Sequence, residues 1–119
     1  MIQREFLRAK IHRATVTDTN PEYEGSVTVA SDLLSAADIA PLERVQVVNV
    51  TTGARLETYA IEGPPKVIEL NGVAAHRGSP GDIVILLTYA KAGVADQPTP
   101  KIAHASDANG VDRTEQKHL

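Results

Sequence analysis

Ala9-Lys10-Ile11-His12-Arg13-Ala14-Thr15-Val16-Thr17 alternates side chains with the period of a strand. In a regular strand Ile11, Arg13 and Thr15 point one way, and Lys10, His12 and Ala14 the other. Residues 18–24 follow as a turn-rich connection containing Asn20-Pro21. Residues 26–30, rich in Val and Thr, read as a short strand. Ser31 can cap a helix whose first turn holds Asp32 and whose buried face is Leu33, Leu34 and Ala37, with Pro41 as its stop. Strands are expected at 44–50, 55–61 and 67–70, separated by the turn 51–54 and the breaker Gly63-Pro64-Pro65. Asn71-Gly72 is a turn, 73–76 fits one helical turn, and 78–82 turns again. Residues 83–89 are continuously apolar, as in a strand buried on both faces. Six or seven short strands joined by tight turns describe a mainly β chain folded as a small barrel with one or two short helices. Periodicity alone does not choose the topology. After Lys91, Pro98 and Pro100, scattered charges and few large apolar residues describe a flexible C-terminal tail over 91–119, whose removal is expected to leave folding intact.

The chain has 119 residues, the size of one domain, here assigned to residues 1–90. So small a domain gains from oligomerisation. A net charge of −3 and 3% aromatic residues argue against nucleic acid or an anionic membrane as partner. There are no cysteines, which excludes disulfides and thiolate chemistry and fits a cytoplasmic protein. The first residues lack a signal-peptide core, and no apolar run reaches membrane-spanning length.

The residues with most chemical content are Tyr23-Glu24-Gly25-Ser26. Taken alone, Gly25-Ser26 is a plain turn. It is also what a self-cutting backbone requires: Gly25 places no Cβ beside the scissile carbonyl and tolerates strained dihedrals, and Ser26 supplies a hydroxyl to attack that carbonyl. The amide then becomes an ester, β-elimination leaves dehydroalanine, and hydrolysis gives a pyruvoyl group and ammonia. An α-keto group of this kind forms a Schiff base with an amine and serves as an electron sink, which no side chain offers.

The set Lys10-x-His12, Tyr23-x-Gly25-Ser26, Arg55-x-x-Thr58-Tyr59-Ala60 and Asn71-Gly72-x-Ala74-Ala75-His76 resembles the pyruvoyl-dependent aspartate 1-decarboxylases, carboxy-lyases that are made as self-cleaving zymogens. The resemblance runs from about residue 5 to about residue 89. It implies a double-ψ β-barrel, cleaved between Gly25 and Ser26 into chains 1–25 and 26–119, with the pyruvoyl group derived from Ser26 as its only cofactor. It implies conversion of L-aspartate to β-alanine and CO₂ for pantothenate and coenzyme A synthesis. A homotetramer with active sites between subunits follows by the same resemblance, and a maturation factor is compatible with it.

The same resemblance implies roles for individual residues. Thr58 polarises the Gly25 carbonyl during cleavage, Asn71 contacts the processing site, and Tyr23 shapes its loop. Lys10 and Arg55 bind the substrate carboxylates, which suits a dicarboxylate. Tyr59 returns a proton to the decarboxylated carbon. Backbone N–H groups of Gly72, Val73, Ala74 and Ala75 can hold a carboxylate; the family commonly has Ala where this chain has Val73. His12 is expected near the site as a supporting donor. His12 and His76 lack the further ligands a metal would need, so no metal is expected. Without the resemblance, Lys10 and Arg55 read as solvated strand charges, Thr58 as an ordinary strand residue, Asn71 as a turn former and Tyr59 as a core tyrosine. Two rival readings stand beside the decarboxylase: an uncleaved double-ψ barrel used as a binding module, and a pyruvoyl enzyme acting on another amino acid such as glutamate.

Overall fold

A computed structural model describes residues 2–117; His118, counted above with the tail, lies outside them. The opening strand β1 runs Arg4–Thr15, longer than the alternation indicated, and it is not regular. Its pairing with β7 (Ile83–Ala92) shifts register between Leu7 and Ala9 and again between Ile11 and Ala14. At the second shift Arg13 takes φ 62°, the left-handed conformation of a bulge residue. The bulge resets the period. Ala9 and Ile11 face the core, and beyond Arg13 Ala14 and Val16 do so as well. Ala14 therefore does not share a face with Lys10 and His12, because one inserted residue moves everything after it to the other side.

β2 is Asp18–Asn20 and β3 is Ser26–Ala30. Helix α1, Ser31–Ala37, buries Leu33, Leu34 and Ala37 as its pattern required. Ser31 is not its cap. Ala30 holds that position with no side-chain bond, and Asp32 instead accepts the Leu33 N–H at 3.1 Å. The helix ends at Asp38, in left-handed conformation, before Pro41 is reached. β4 (Arg44–Asn49), β5 (Arg55–Gly63) and β6 (Ile68–Asn71) follow, then a short 3₁₀ helix, Gly72–Arg77.

Among the described residues the strands form one sheet in the order β2-β6-β3-β5-β4-β7-β1-β8-β9, with β8 at Lys101–Ala105 and β9 at Val111–Gln116. β5 changes partners midway. Arg55 to Tyr59 run antiparallel to β4, and Ala60 to Gly63 run parallel to β3. This crossing, with the further parallel pairs β1–β8 and β2–β6, is consistent with a sheet rolled into a small barrel. Its core is aliphatic: Ile11, Val27, Leu33, Ile68, Leu70 and Leu86 are all fully buried. β7 buries Val84, Leu86 and Thr88 completely but leaves Ile83, Ile85 and Leu87 only half-covered. One face of the apolar run thus meets the core, and the other lies on the outside of the barrel.

The segment after Lys91, expected to be a flexible tail, is structured in most of its length. β7 continues to Ala92, and a 3₁₀ turn follows at Val94–Asp96. β8 then pairs in parallel with β1 from Ala9 to His12 and carries buried Ile102 and Ala103. β9 folds back on β8. Asn109, 1% exposed, ties the hairpin to the barrel by accepting from Thr15 N at 2.7 Å and donating to Thr15 O at 2.8 Å and Lys66 O at 3.0 Å. Composition misled here because a strand that completes an existing sheet edge needs few large side chains of its own.

Candidate active site

The loop before β3 turns on Asn20, whose carbonyl accepts the Tyr23 N–H and whose side chain accepts the Glu22 N–H. It delivers Gly25 at the surface and Ser26 with 0% exposure at the first position of β3. Antiparallel pairing of β3 with β6 sets Ser26 opposite Asn71. The Asn71 Nδ2 donates to Ser26 Oγ at 3.0 Å and to Thr28 Oγ1 at 2.9 Å. Ser26 Oγ in turn donates to the Glu24 carbonyl at 3.0 Å. A hydroxyl oxygen has two lone pairs, so one stays free after the Asn71 bond is made. Asn71 is 1% exposed, and its Oδ1 is buried without a partner. A buried amide oxygen left unpaired is costly.

β5 brings the other groups. Parallel pairing sets Val27 beside Ala60, at the point where β5 leaves β4 for β3. Gly25, Arg55, Leu56, Glu57, Thr58, Val73, Ala74 and Arg77 line a cavity of about 300 Å³. The scissile residue, the expected carbonyl-polarising Thr58 and the expected carboxylate-binding Arg55 thus share one opening. Gly72, at φ 63°, packs directly under the loop. Gly25 itself is not in a left-handed conformation, and a Cβ there would meet nothing within 4 Å. The conformational freedom that glycine offers is not used at Gly25; the left-handed φ of the site belongs to Gly72.

Other expected residues lie apart. Tyr59 is half-buried on the opposite face of β5 from Thr58, in an opening it shares with Arg44, Glu57 and Thr58. Because Glu57 and Thr58 line both openings, the two adjoin. Tyr23 is 53% exposed and borders a separate hollow with Thr28 and Asn71. Ala75 is half-buried and lines none of these openings. Lys10 pairs with Leu87, Leu87 with Gln46, and Gln46 with Glu57. Three strand spacings, roughly 14 Å, therefore separate Lys10 from Glu57 along that row. A further hollow of about 310 Å³, among Glu5, Arg44, Gln46, Glu57, Leu87 and Tyr89, adjoins these openings through Arg44 and Glu57.

His12 sits with Lys10, and its neighbour is His104 of β8, with ring centroids 5.3 Å apart and nearly perpendicular planes. His104 Nε2 lies 3.1 Å from Glu115. Hydrogen bonds from His104 and Arg113 hold the Glu115 carboxyl down to about 2. Burial lowers the pKa of His12, and the charges of Lys10, His104, Arg13 and Arg113 lower it further. His76 belongs to a different opening, with Thr52, Ala54 and Arg77. Among the described residues no three metal-ligating side chains converge.

Two features carry no signal in the sequence. His104 and Glu115 fall in the segment that reads as a tail; the β1–β8 register brings His104 to His12, and the β8–β9 hairpin brings Glu115 to His104. Arg77 was not singled out, since a lone arginine after His76 carries no motif. The 3₁₀ helix is what turns it toward the Gly25 cavity.

A family model described as aspartate decarboxylase matches residues 2–112. An aspartate 1-decarboxylase of Haloquadratum walsbyi is 45% identical over 114 residues, covering 96% of this chain and 100% of that protein. One from Myxococcus xanthus is 54% identical over 97 residues, 80% of this chain and 75% of its own length. One from Pelotomaculum thermopropionicum is 49% identical over 110 residues, 89% of this chain and 83% of its own.

Proposed function

The chain belongs to the aspartate decarboxylase family, and from that premise we propose that it converts L-aspartate to β-alanine and CO₂ using a pyruvoyl group made from its own Ser26. The product feeds pantothenate and coenzyme A synthesis. The observation that carries this reading is the placement of Ser26 Oγ, held at 3.0 Å by Asn71 behind a Gly25 that opens on a cavity lined by Arg55 and Thr58.

Each residue then has a task. Asn71 fixes the Ser26 hydroxyl while leaving it a lone pair for the Gly25 carbonyl carbon. Thr58 lines the same cavity as Gly25 and can donate to the oxygen on which charge develops, as an oxyanion donor does. Attack moves the acyl group from N to O, and elimination then breaks the Cβ–O bond, leaving Gly25 as a new carboxyl terminus. The residues present suit the resulting group: Asn71 reaches position 26, and the adjoining cavity has room for a substrate. Once formed, the pyruvoyl group supplies the electron sink for the carbanion that departing CO₂ leaves. Arg55 holds a substrate carboxylate with its planar fork. Tyr59, in the adjoining opening, delivers the proton to carbon.

Lys10 and His12 reach this site from a second copy of the chain in a homotetramer, which we place in the cytoplasm; a maturation factor is compatible with this scheme. The distance of Lys10 from β5 in its own sheet supports that arrangement. So does the half-covered apolar outer face, where Val48 pairs with Ile85 and Leu87 stands beside Gln46.

Ser26→Ala tests the reading. It removes one buried oxygen, so the barrel should assemble as one unprocessed chain without activity. Wild type should give masses for 1–25 and 26–119, the larger fragment reacting with a hydrazine. Cleavage of Ser26→Ala at the same bond points to an outside protease. A wild type that stays whole and unreactive yet decarboxylates aspartate sinks the pyruvoyl scheme.

A further inference from the structure

Asn71 holds the Ser26 hydroxyl, and a second residue holds Asn71. Ser26 and Thr28 are alternate residues of β3, so their side chains share a face. The antiparallel register sets Asn71 opposite Ser26 and Glu69 opposite Thr28, which leaves Thr28 diagonal to Asn71. One nitrogen spans both positions: Asn71 Nδ2 donates to Ser26 Oγ at 3.0 Å and to Thr28 Oγ1 at 2.9 Å. A side-chain amide has two N–H groups, and both are spent on these two hydroxyls. Together they fix the amide plane. The Asn71 Oδ1 does nothing to fix it, because among the described residues that atom is buried without a partner. Held by Ser26 alone, the amide could turn about its last side-chain torsion, which is broad for asparagine. Turning would bring Oδ1 against Ser26 Oγ. The Ser26 hydrogen would then leave the Glu24 carbonyl, 3.0 Å away, and the lone pairs of Ser26 would be re-aimed.

We propose that Thr28 is a positioning residue for self-cleavage: its hydroxyl accepts the second N–H of Asn71 and so holds the amide in the orientation that leaves a Ser26 lone pair free for the Gly25 carbonyl. The inference rests on the self-processing reading of Ser26 and extends it to a residue that does not line the Gly25 cavity. Thr28 is half-buried and borders instead the hollow of about 270 Å³ that it shares with Tyr23, Glu69 and Asn71. It therefore acts on cleavage through Asn71 and not by touching the scissile bond. Valine at this position keeps the shape and strand preference of threonine but offers no acceptor, and it leaves one Asn71 N–H unpaired. Serine keeps the acceptor and loses only a methyl group.

The test makes wild type, Thr28→Val, Thr28→Ser, Asn71→Ala and the double variant Thr28→Val with Asn71→Ala in a reconstituted translation system. Intact mass then follows the appearance of 1–25 and 26–119, and melting curves check that each chain folds. Thr28→Val should slow cleavage about tenfold, the effect of one hydrogen bond on the barrier. Thr28→Ser should be cut at close to the wild-type rate. Adding Thr28→Val to Asn71→Ala should slow cleavage no further, because the two residues act as one unit. Cleavage of Thr28→Val at the wild-type rate overturns the assignment. So does equal slowing by Thr28→Ser, which would make the methyl group responsible, or a full tenfold loss added on top of Asn71→Ala. Should Asn71→Ala not be cut at all, or Thr28→Val not fold, Thr28→Ser decides: a wild-type rate upholds the assignment and a slowed one overturns it. A wild type that is never cut overturns the self-processing reading itself. A wild type that is cut no faster than a folded Thr28→Val overturns this inference alone.

Discussion

A methyl group at position 72 would lie 2.7 Å from both Cα and N of Gly25 and 2.9 Å from the Tyr23 carbonyl. These are backbone atoms of the cleavage loop, which cannot turn aside as a side-chain tip can. The φ of 63° adds conformational strain for any other residue. Gly72→Ala should therefore destabilise the chain by about 1–3 kcal/mol and slow cleavage by displacing Gly25. Melting temperature and a time course of intact mass read both effects, and a wild-type time course would show that the loop tolerates the shift. At Gly25 an added Cβ meets nothing within 4 Å. Gly25→Ala should melt like wild type and be cut more slowly, because the Cβ crowds only the carbonyl under attack; a lowered melting temperature would contradict the open space seen there. In the sequence Asn71-Gly72 was legible as a turn former. Which backbone the glycine must let pass was not, since Tyr23 and Gly25 lie far away along the chain.

Among the elements, Glu43 ties the turn before β4 to two strands, β1 and β7. Its carboxylate accepts from Arg8 of β1 at 3.0 and 2.8 Å, from Thr88 of β7 at 2.8 Å, and from the Ala40 N–H at 3.1 Å, just ahead of β4. Burial works to raise its pKa, but the bonds from Arg8, Ala40 and Thr88 outweigh this and hold it below the ordinary 4.5. A carboxyl lowered on folding contributes stability that is complete above its unfolded pKa and fades as pH falls through the folded one. Glu43→Gln should thus cost about 1.5–3 kcal/mol at neutral pH, and the gap to wild type should narrow below pH 4.5. Denaturant melts at neutral and acid pH measure it, and a gap that stays constant would remove Glu43 from the acid response. Local patterning located the strands and the helix well, because β-branched alternation and the Leu33, Leu34, Ala37 spacing act within a few residues. It missed β2, β8 and β9, which complete sheet edges, and the bulge at Arg13, which lies where the pairing of β1 with β7 shifts register.

At the scale of the molecule, β8 and β9 close the open edge of β1. Deleting residues 98–119 removes buried Ile102 and Ala103 and the three bonds of Asn109, and it exposes the edge from Ala9 to His12. The loss should exceed about 3 kcal/mol from apolar burial and hydrogen bonding, and the bare edge invites association with other chains. Light scattering and melting of the truncated chain check this; a monodisperse product with the wild-type melting temperature would return the segment to the status of a tail. The sequence by itself determined the main strands before residue 92, the small aliphatic core and the chemical content of Gly25-Ser26, Arg55, Thr58, Tyr59 and Asn71, since strand periodicity, burial and functional groups are properties of single residues and near neighbours. Only the tertiary structure decided which of these groups meet. The register of β3 against β6 puts Ser26 on Asn71, one cavity gathers Gly25, Arg55, Thr58 and Arg77, and the pairing of β1 with β8 joins His12 to His104. Strand partners distant in sequence are chosen by the edge they complete and the core they seal together, and neither condition is written in any one segment.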